Sequence, residues 1–427
     1  MTKKQYIQAC IMALVMLVSV VFAVAAAEKK VEITLWHHWT GPERIAYVQK
    51  MLDEFNELYP WIEAKQLSAG TGGAQERLMT FIISGASPEV VQVMSGYGLP
   101  IIAQGGFLPL NEFAERDNLN LRIFNSVDLA PFQYKDATYA LPITSGVAWT
   151  NLMIYNKRLM AEVGLNPNAP PETWEQWRIA ARRMTRKTGD GVLERAGTSI
   201  PPVQTVNYWN NGSLWTDDLK TAQTDTPAMH ETIEFLKELS DEIYGGFNNY
   251  APWINSHQFQ AEHYGIWIQN NSVFNVLKDV PFEWGAKLAP VGPQPGAKPT
   301  GLVLSTWAYA IPVTVPKEKQ EAAWLLLSWL TTKPESAGWF TRVQGRPSAV
   351  TTFNSHPEYL RSNPSWNVVI EAVNYDMAIP PGVDVWNRLM EPSNWLLAGQ
   401  VSPKQGLTAM DMVLQEMLDT YWSVVGD

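Results

Sequence analysis

The chain has 427 residues, 46% of them hydrophobic and 17% charged, with a formal net charge of −10. That length suits two or three domains with a sizeable buried core, and no apolar run after residue 27 is long enough to span a bilayer. The acidic balance, with no compensating basic patch, argues against nucleic acid or an anionic membrane surface as partner and favours small neutral ligands.

The first 27 residues form a block of their own. Lys3 and Lys4 precede an apolar stretch from Ala9 to Val24, and Ala25, Ala26 and Ala27 lead into Glu28, Lys29 and Lys30. This order is that of a secretory signal peptide over residues 1–27. An uncleaved amino-terminal anchor is the competing reading, because the apolar run almost reaches bilayer length. Cys10, the one cysteine, lies inside the apolar stretch and not at its end after small residues, so it does not match a lipoprotein cysteine. The exported chain would then hold together without any disulfide.

Residues 31–36, VEITLW, read as a strand. A helix follows from about Gly41 to Leu58, with Ile45, Val48, Leu52 and Phe55 at helical spacing. Thr40 and Glu43 match a capping box at its start. Trp61 to Leu67 alternates as a second strand, the SAGTGG loop leads into a helix containing Leu78, Phe81 and Ile82, and Glu89 to Met94 is a short apolar strand. Strand, helix, strand, helix, strand implies a parallel sheet covered on both faces, with ligands at the carboxyl ends of its strands. A second α/β region follows Tyr139–Pro142. It holds LMIYNK at 152–157 and a helix carrying Trp177, Ala181 and Met184 behind a Thr173/Gln176 capping box. Tyr208 to Trp215 reads as a loop rich in Trp, Asn and Gly. Then come a helix at 227–242, a strand YGIWI at 264–268 ending in Gln269-Asn270-Asn271, and a Pro/Gly-rich connection from Ala289 to Gly301. A helix at 318–330 and a final amphipathic helix with Leu407, Met410, Val413, Leu414, Met417 and Leu418 complete the pattern.

The stretch LWHHWTGPE, residues 35–43, lies just past the first strand, where a cleft should open. His37 and His38 are adjacent and point to opposite sides of an extended chain, so they do not share a zinc ion. His230, His257, His263 and His356 show no ligand spacing, and neither a metal nor a cofactor is expected. G-x-S-x-G, HExxH and a phosphate loop are all absent, and SAGTGG lacks the lysine that phosphate binding wants. Two carboxylates of a glycosidase need only spatial closeness, but the strand-end loops are poor in Asp and Glu. What those loops do carry is aromatic and amide: Trp39, Tyr97, Trp149, Trp209, Trp307 and Trp386 with Gln75, Asn270 and Ser95. The chain has 19 tryptophans. Each taken singly reads as core, whereas the set suits a polyhydroxylated ligand, whose ring faces need apolar cover and whose hydroxyls need in-plane partners.

Several segments together resemble the extracellular solute-binding protein family 1, the carbohydrate-binding receptors of bacterial ABC importers. They are FNELYPWIEAKQL, SGASPEVVQVMSGYGLPIIAQGGFLPL, YALPITSGVAWTNLMIYNKRLMAEVGL, PETWEQW, and GLVLSTWAYAIP followed by KEKQEAAWLLLSWLTTKPES and GRPS, spanning about 31–347. A looser match, VWNRLM and LAGQVSPKQGLTAM, continues to the carboxyl end. Glu89 stands where the family more often has Asp, and Ser305-Thr306-Trp307 replaces a Gly-rich stretch.

The resemblance implies a two-lobe, hinged periplasmic-binding-protein fold of type II. Lobe one would comprise 28–142 and 303–347, lobe two 143–302 and 348–427, with crossovers near Leu141–Val147, Pro299–Leu304 and Pro347–Phe353. Carried over by position, His38, Trp39, Thr40, Gly73, Gln75, Ser95 and Tyr97 would face the ligand from lobe one. Trp149, Trp209, Asn270 and Trp386 would face it from lobe two, with Trp307 and Arg346 near the crossovers. The implied protein is a periplasmic monomer, not an enzyme, that delivers a sugar to the transmembrane subunits of an ABC permease. A phosphorylated polyol such as glycerol phosphate, paired with Arg44, Arg77 or Arg346, is the rival ligand, and a secreted carbohydrate-active enzyme is the rival class.

Overall fold

The computed structural model describes residues 30–146, 151–254, 257–303, 306–343, 345–362, 365–380 and 385–426. The segment 1–27, expected to be a signal peptide, and Trp149 lie outside the described residues.

Lobe one is built on strands β1 (Val31–His37), β2 (Ile62–Ser68), β3 (Val90–Met94) and β4 (Ala140–Thr144). Its helices are α1 (Pro42–Leu58), α2 (Ala74–Ser84), α3 (Ser95–Ala103) and the single turn α4 (Ser126–Leu129). Lobe two uses β5 (Leu152–Asn156), β6 (Arg186–Lys187), β7 (Leu193–Thr198), β8 (Tyr264–Gln269) and β9 (Trp284–Leu288). With them go α5 (Trp174–Met184), α6 (Val203–Trp209) and α7 (Pro227–Tyr244). Strands β10 (Gly301–Val303) and β11 (Trp307–Ala310) precede α8 (Lys317–Thr332), and β12 (Asp376–Ala378) precedes α9 (Asn387–Leu397) and α10 (Pro403–Val425).

The first sheet has the order β2-β1-β3-β11-β4. Strands β2 and β3 run parallel to β1, while β11 is antiparallel to both β3 and β4. The parallel sheet read from the sequence is therefore mixed, because a strand from more than 200 positions downstream is inserted between β3 and β4. The second sheet has the order β9-β5-β8-β7-β6, with β7 parallel to β8 and β5 antiparallel to it. Strand β10 pairs in parallel with β12.

Alternation along β1 shows why the first sheet needs cover on both sides. Ile33 and Leu35 pack with Val48, Leu52 and Phe55 of α1 and with α8, whereas Trp36 packs with Leu78, Val91, Val93 and Ile101 on the other face. Each large apolar side chain sealed in this way contributes about 1.5–3 kcal/mol. In lobe two a single core joins Trp177, Met184, Trp209, Leu236 and Ile266 with Leu407 and Leu414 of α10. Glycines permit its close contacts: a Cβ on Gly197 of β7 would fall 1.7 Å from the Ala181 carbonyl oxygen.

Three local expectations are corrected. Gly41, not Thr40, caps α1, and no side chain bonds the first-turn amides. Pro42 occupies the first helical position, which suits its fixed φ and absent N–H, and this moves the cap one residue past Thr40. The Tyr208–Trp215 segment is not all loop, since Tyr208 and Trp209 end the helix α6, every residue of which is buried. At Thr173 the hydroxyl does accept from the Gln176 amide (3.3 Å), but Gln176 Oε1 accepts from Glu172 N (2.8 Å) and not from the cap residue itself.

Candidate functional site

The carboxyl ends of β1 and β3 and the start of β11 lie on one edge of the first sheet. There the His38 amide donates to Gln92 Oε1 at 2.7 Å, which turns the imidazole inward between Trp36 (4.7 Å, edge-on) and Trp307 (5.7 Å). The ring is buried, and neither ring nitrogen has a hydrogen-bond partner among the described residues. Burial, followed by the charges of His37 and Arg77, lowers the His38 pKa to about 4, so the ring is neutral at physiological pH. Trp39 stacks on Trp307 at 4.4 Å with planes 14° apart, and Phe340 closes the far edge at 5.0 Å. These two indoles are 2% and 8% exposed, so they form a floor under the cleft and not a free stacking face.

Two cations lie on that floor, Arg44 at 5.8 Å from the Trp39 ring and Arg346 at 5.7 Å from the Trp307 ring. Burial and the neighbouring Arg44 lower the Arg346 pKa to about 10. Arg77 is engaged differently: Nη2 donates to the carbonyls of Ala69 (2.9 Å) and Gly70 (2.7 Å), bracing the SAGTGG loop. Gly73 ends that loop at φ +63°, where a side chain would be strained, and Gln75 is exposed on the first turn of α2. Thr40 is exposed beside the same loop. Tyr97 is half-buried in the first turn of α3, where burial pushes its phenol up. Ser95 is a fastener: its amide donates to Thr306 O (2.9 Å) and its hydroxyl accepts from Thr306 N (3.1 Å).

On lobe two a cavity of about 240 Å³ opens beyond the carboxyl ends of β7 and β8. Phe247, Tyr250, Trp253, Tyr264, Trp267 and Trp386 supply its rings, and Ser199, Thr205, Gln269, Ser393 and Asn394 its polar groups. Among the described residues no charged side chain lines it. The helix α7 ends at Gly245, and the two short turns that follow carry Phe247 to Trp253 over the strand ends. Tyr264 holds them there by donating its hydroxyl to the Trp253 carbonyl, with the two rings 6.1 Å apart. Gln204 of α6 ties in α9, accepting from Ser393 Oγ at 2.9 Å and donating to Val385 O at 3.1 Å, next to Trp386. A larger hollow of about 330 Å³ between Pro347 and Asn374 has Trp366 as its one ring among the described residues and lies away from the strand ends, so the smaller aromatic cavity is the better ligand wall.

The structure therefore gathers His38, Trp39, Trp307 and Arg346 in one place and sets Trp386 in the aromatic cavity. It does not place Trp209 there. That indole is fully buried and donates to Thr300 O at 3.1 Å, so its N–H is satisfied inside the core. Asn270 spends its side chain locally: Oδ1 accepts from the Ser272 amide (2.9 Å) and from its hydroxyl. One residue on, Asn271 Nδ2 reaches the carbonyl of Gly345 at 3.5 Å, which brings this loop beside Arg346. Sequence reasoning missed Phe247, Tyr250, Trp253 and Trp267. The alternation of YGIWIQ, which puts Trp267 and Gln269 on one face of β8, was a usable signal for the last. Among the described residues no cluster of three or more His, Cys, Asp or Glu could hold a metal ion.

A sequence profile described as bacterial extracellular solute-binding protein matches residues 39–337. A stretch of 244 residues is 27% identical to the sn-glycerol-3-phosphate-binding periplasmic protein of Brucella abortus, covering 52% of this chain and 54% of that protein. Another of 315 residues is 24% identical to the maltotriose-binding protein of Pyrococcus abyssi, covering 71% of this chain and 63% of that one. The chain thus spans about half the length of the glycerol-phosphate relatives it matches. Among solved structures, the cyclic α-maltosyl-1,6-maltose binding protein of Arthrobacter globiformis superposes with a TM-score of 0.74 at 20% identity, over 92% of this chain and all of that one. At that identity the likeness establishes the fold, which is the two-lobe type II arrangement.

Proposed function

Because the chain belongs to the bacterial extracellular solute-binding protein family, we propose that it is the receptor of an ABC importer, capturing a neutral sugar or oligosaccharide between its lobes. The observation that carries the ligand class is the cavity of lobe two, where six aromatic rings meet hydroxyl and amide groups and no charged side chain stands among the described lining residues. Pyranose rings present C–H faces to such rings and hydroxyl edges to such amides. The exposed Thr40 and Gln75 supply uncharged partners from lobe one. Ligand that bridges both walls binds the closed form better than the open one, and that difference in affinity drives closure and marks the loaded receptor for its permease.

In this reading the lobes comprise 28–142 with 303–347 and 143–302 with 348–427. The segment 1–27 directs export to the periplasm, and the mature receptor acts as a monomer with the transmembrane permease subunits and without catalysis. Titration of the purified protein with a panel of mono- and oligosaccharides, followed by tryptophan emission and small-angle scattering, tests it. A member of the panel should shift the emission and compact the particle. If none does either, the reading fails.

A second reading is favoured by one observation. Arg44 and Arg346 flank the stacked Trp39 and Trp307 closely enough for one to depress the pKa of the other, an arrangement that an anionic ligand would relieve. Binding of glycerol 3-phosphate that weakens steeply with salt, in the absence of sugar binding, would select it.

A further inference from the structure

Asp128 lies in α4, fully buried, and the groups that act on its carboxylate among the described residues are hydrogen-bond donors, none of them a cation. A carboxylate is costly to bury in that way unless hydrogen-bond donors surround it. The donors here come from separate parts of the chain. The Gly146 amide (2.9 Å) and the Thr306 hydroxyl (2.7 Å) donate to Oδ1, and the Ser145 hydroxyl donates to Oδ2. Ser145 and Gly146 directly follow β4, where the chain leaves the first sheet for β5 of the second. Thr306 directly precedes β11, where the chain returns from β10 to the first sheet. Ser145 also donates its amide to Pro347 O at 2.9 Å, and Thr144 pairs with Ser348, on the last segment to leave lobe one. Thr306 is held in turn by both backbone and hydroxyl of Ser95. One carboxylate thus joins two passages between the sheets directly and touches a third through Ser145.

We propose that Asp128 is a positioning residue that fixes the pivot about which the lobes close, and so sets the balance between open and closed receptor. The inference rests on the reading of the protein as a hinged receptor, but not on the identity of its ligand. A side chain that merely filled space in lobe one would not need three donors drawn from the roots of two crossings. The carboxylate makes those roots move as one body with α4, so that rotation is confined to the residues beyond them.

The test uses Asp128→Asn, Thr306→Val and Ser145→Ala, with Thr306→Ser as the conservative control that keeps the hydroxyl. The first measurement is the radius of gyration of each unliganded protein by small-angle scattering, and the second is the affinity for maltotriose as probe. Loosening the anchored roots should allow rotations that the intact pivot forbids and so shift the open-closed balance, and with it the maltotriose Kd, by about tenfold. The unliganded radius of gyration should change in Asp128→Asn and Thr306→Val, and Thr306→Ser should restore both quantities. Variants that melt earlier yet keep the parent radius and Kd would overturn the proposal, leaving Asp128 a structural fastener. Should Asp128→Asn fail to fold, the Thr306→Val and Thr306→Ser pair decides. Should maltotriose not bind the parent, the sugar assignment is weakened separately, while the unliganded scattering still decides the role of Asp128.

Discussion

Replacing His38 by Leu probes the lobe-one wall in a way that separates folding from binding. The imidazole sits between Trp36 and Trp307 with no protein partner for either nitrogen, and its pKa falls from 6.5 to about 4. Between those values the unfolded chain binds a proton that the folded chain refuses. The folded state therefore keeps its full advantage above pH 6.5 and loses it progressively as the pH falls towards 4. The gap corresponds to about 3 kcal/mol, at about 1.4 kcal/mol per pH unit. Leucine has a similar volume and no titration, so His38→Leu should lose about 2–3 kcal/mol less stability than the parent between pH 7.5 and pH 4.5. Urea denaturation at the two pH values gives both numbers, and subtracting one protein's loss from the other's cancels the carboxylates they share. Equal losses, or an NMR titration of His38 near 6.5, would refute the argument. At pH 7.5 the variant should be about as stable as the parent and bind sugar as the parent does, because the buried ring nitrogens lie behind the wall and do not reach the cleft.

Trp386 is half-buried at the mouth of the lobe-two cavity, so Trp386→Ala should weaken sugar affinity about tenfold, the loss of one aromatic face, with little change in thermal midpoint. Titration calorimetry and a melting curve check the two halves of that statement. Gly197→Ala forces a Cβ to within 1.7 Å of the Ala181 carbonyl oxygen, pushing β7 away from α5. A loss of about 3 kcal/mol or more is expected, and a variant melting with the parent would contradict the close packing described. Glu89 is nearly sealed between the Lys319 ammonium at 2.6 Å and the Thr34 amide at 2.7 Å. Lys319→Met should cost about 2 kcal/mol by stranding that carboxylate, and adding Glu89→Gln should recover part of it in chemical denaturation.

Much of the architecture was legible because its signals are local. The helical period of Val48, Leu52 and Phe55, the alternation of β1 and β2, and the Thr173 cap all arise from neighbours within one or two turns, and each appears in the structure close to where the residues put it. The buried positions of α10, Leu407, Met410, Leu414, Met417 and Leu418, follow from the same period. Even there, one residue of detail was lost at Gly41, where the proline after it outweighed the hydroxyl before it.

What the chain alone determined, then, is its two α/β regions, the order of most of their elements and an unusual store of indoles. The tertiary structure decided which indoles are structural and which line a wall. Trp209 is closed into the core because a carbonyl 91 positions away accepts its N–H. Trp253 and Trp386 share a cavity although 133 positions separate them, and Thr306 meets Asp128 across 178. Contacts of that range come from shape and hydrogen-bond complementarity between whole elements, and such complementarity leaves no period in a one-dimensional pattern.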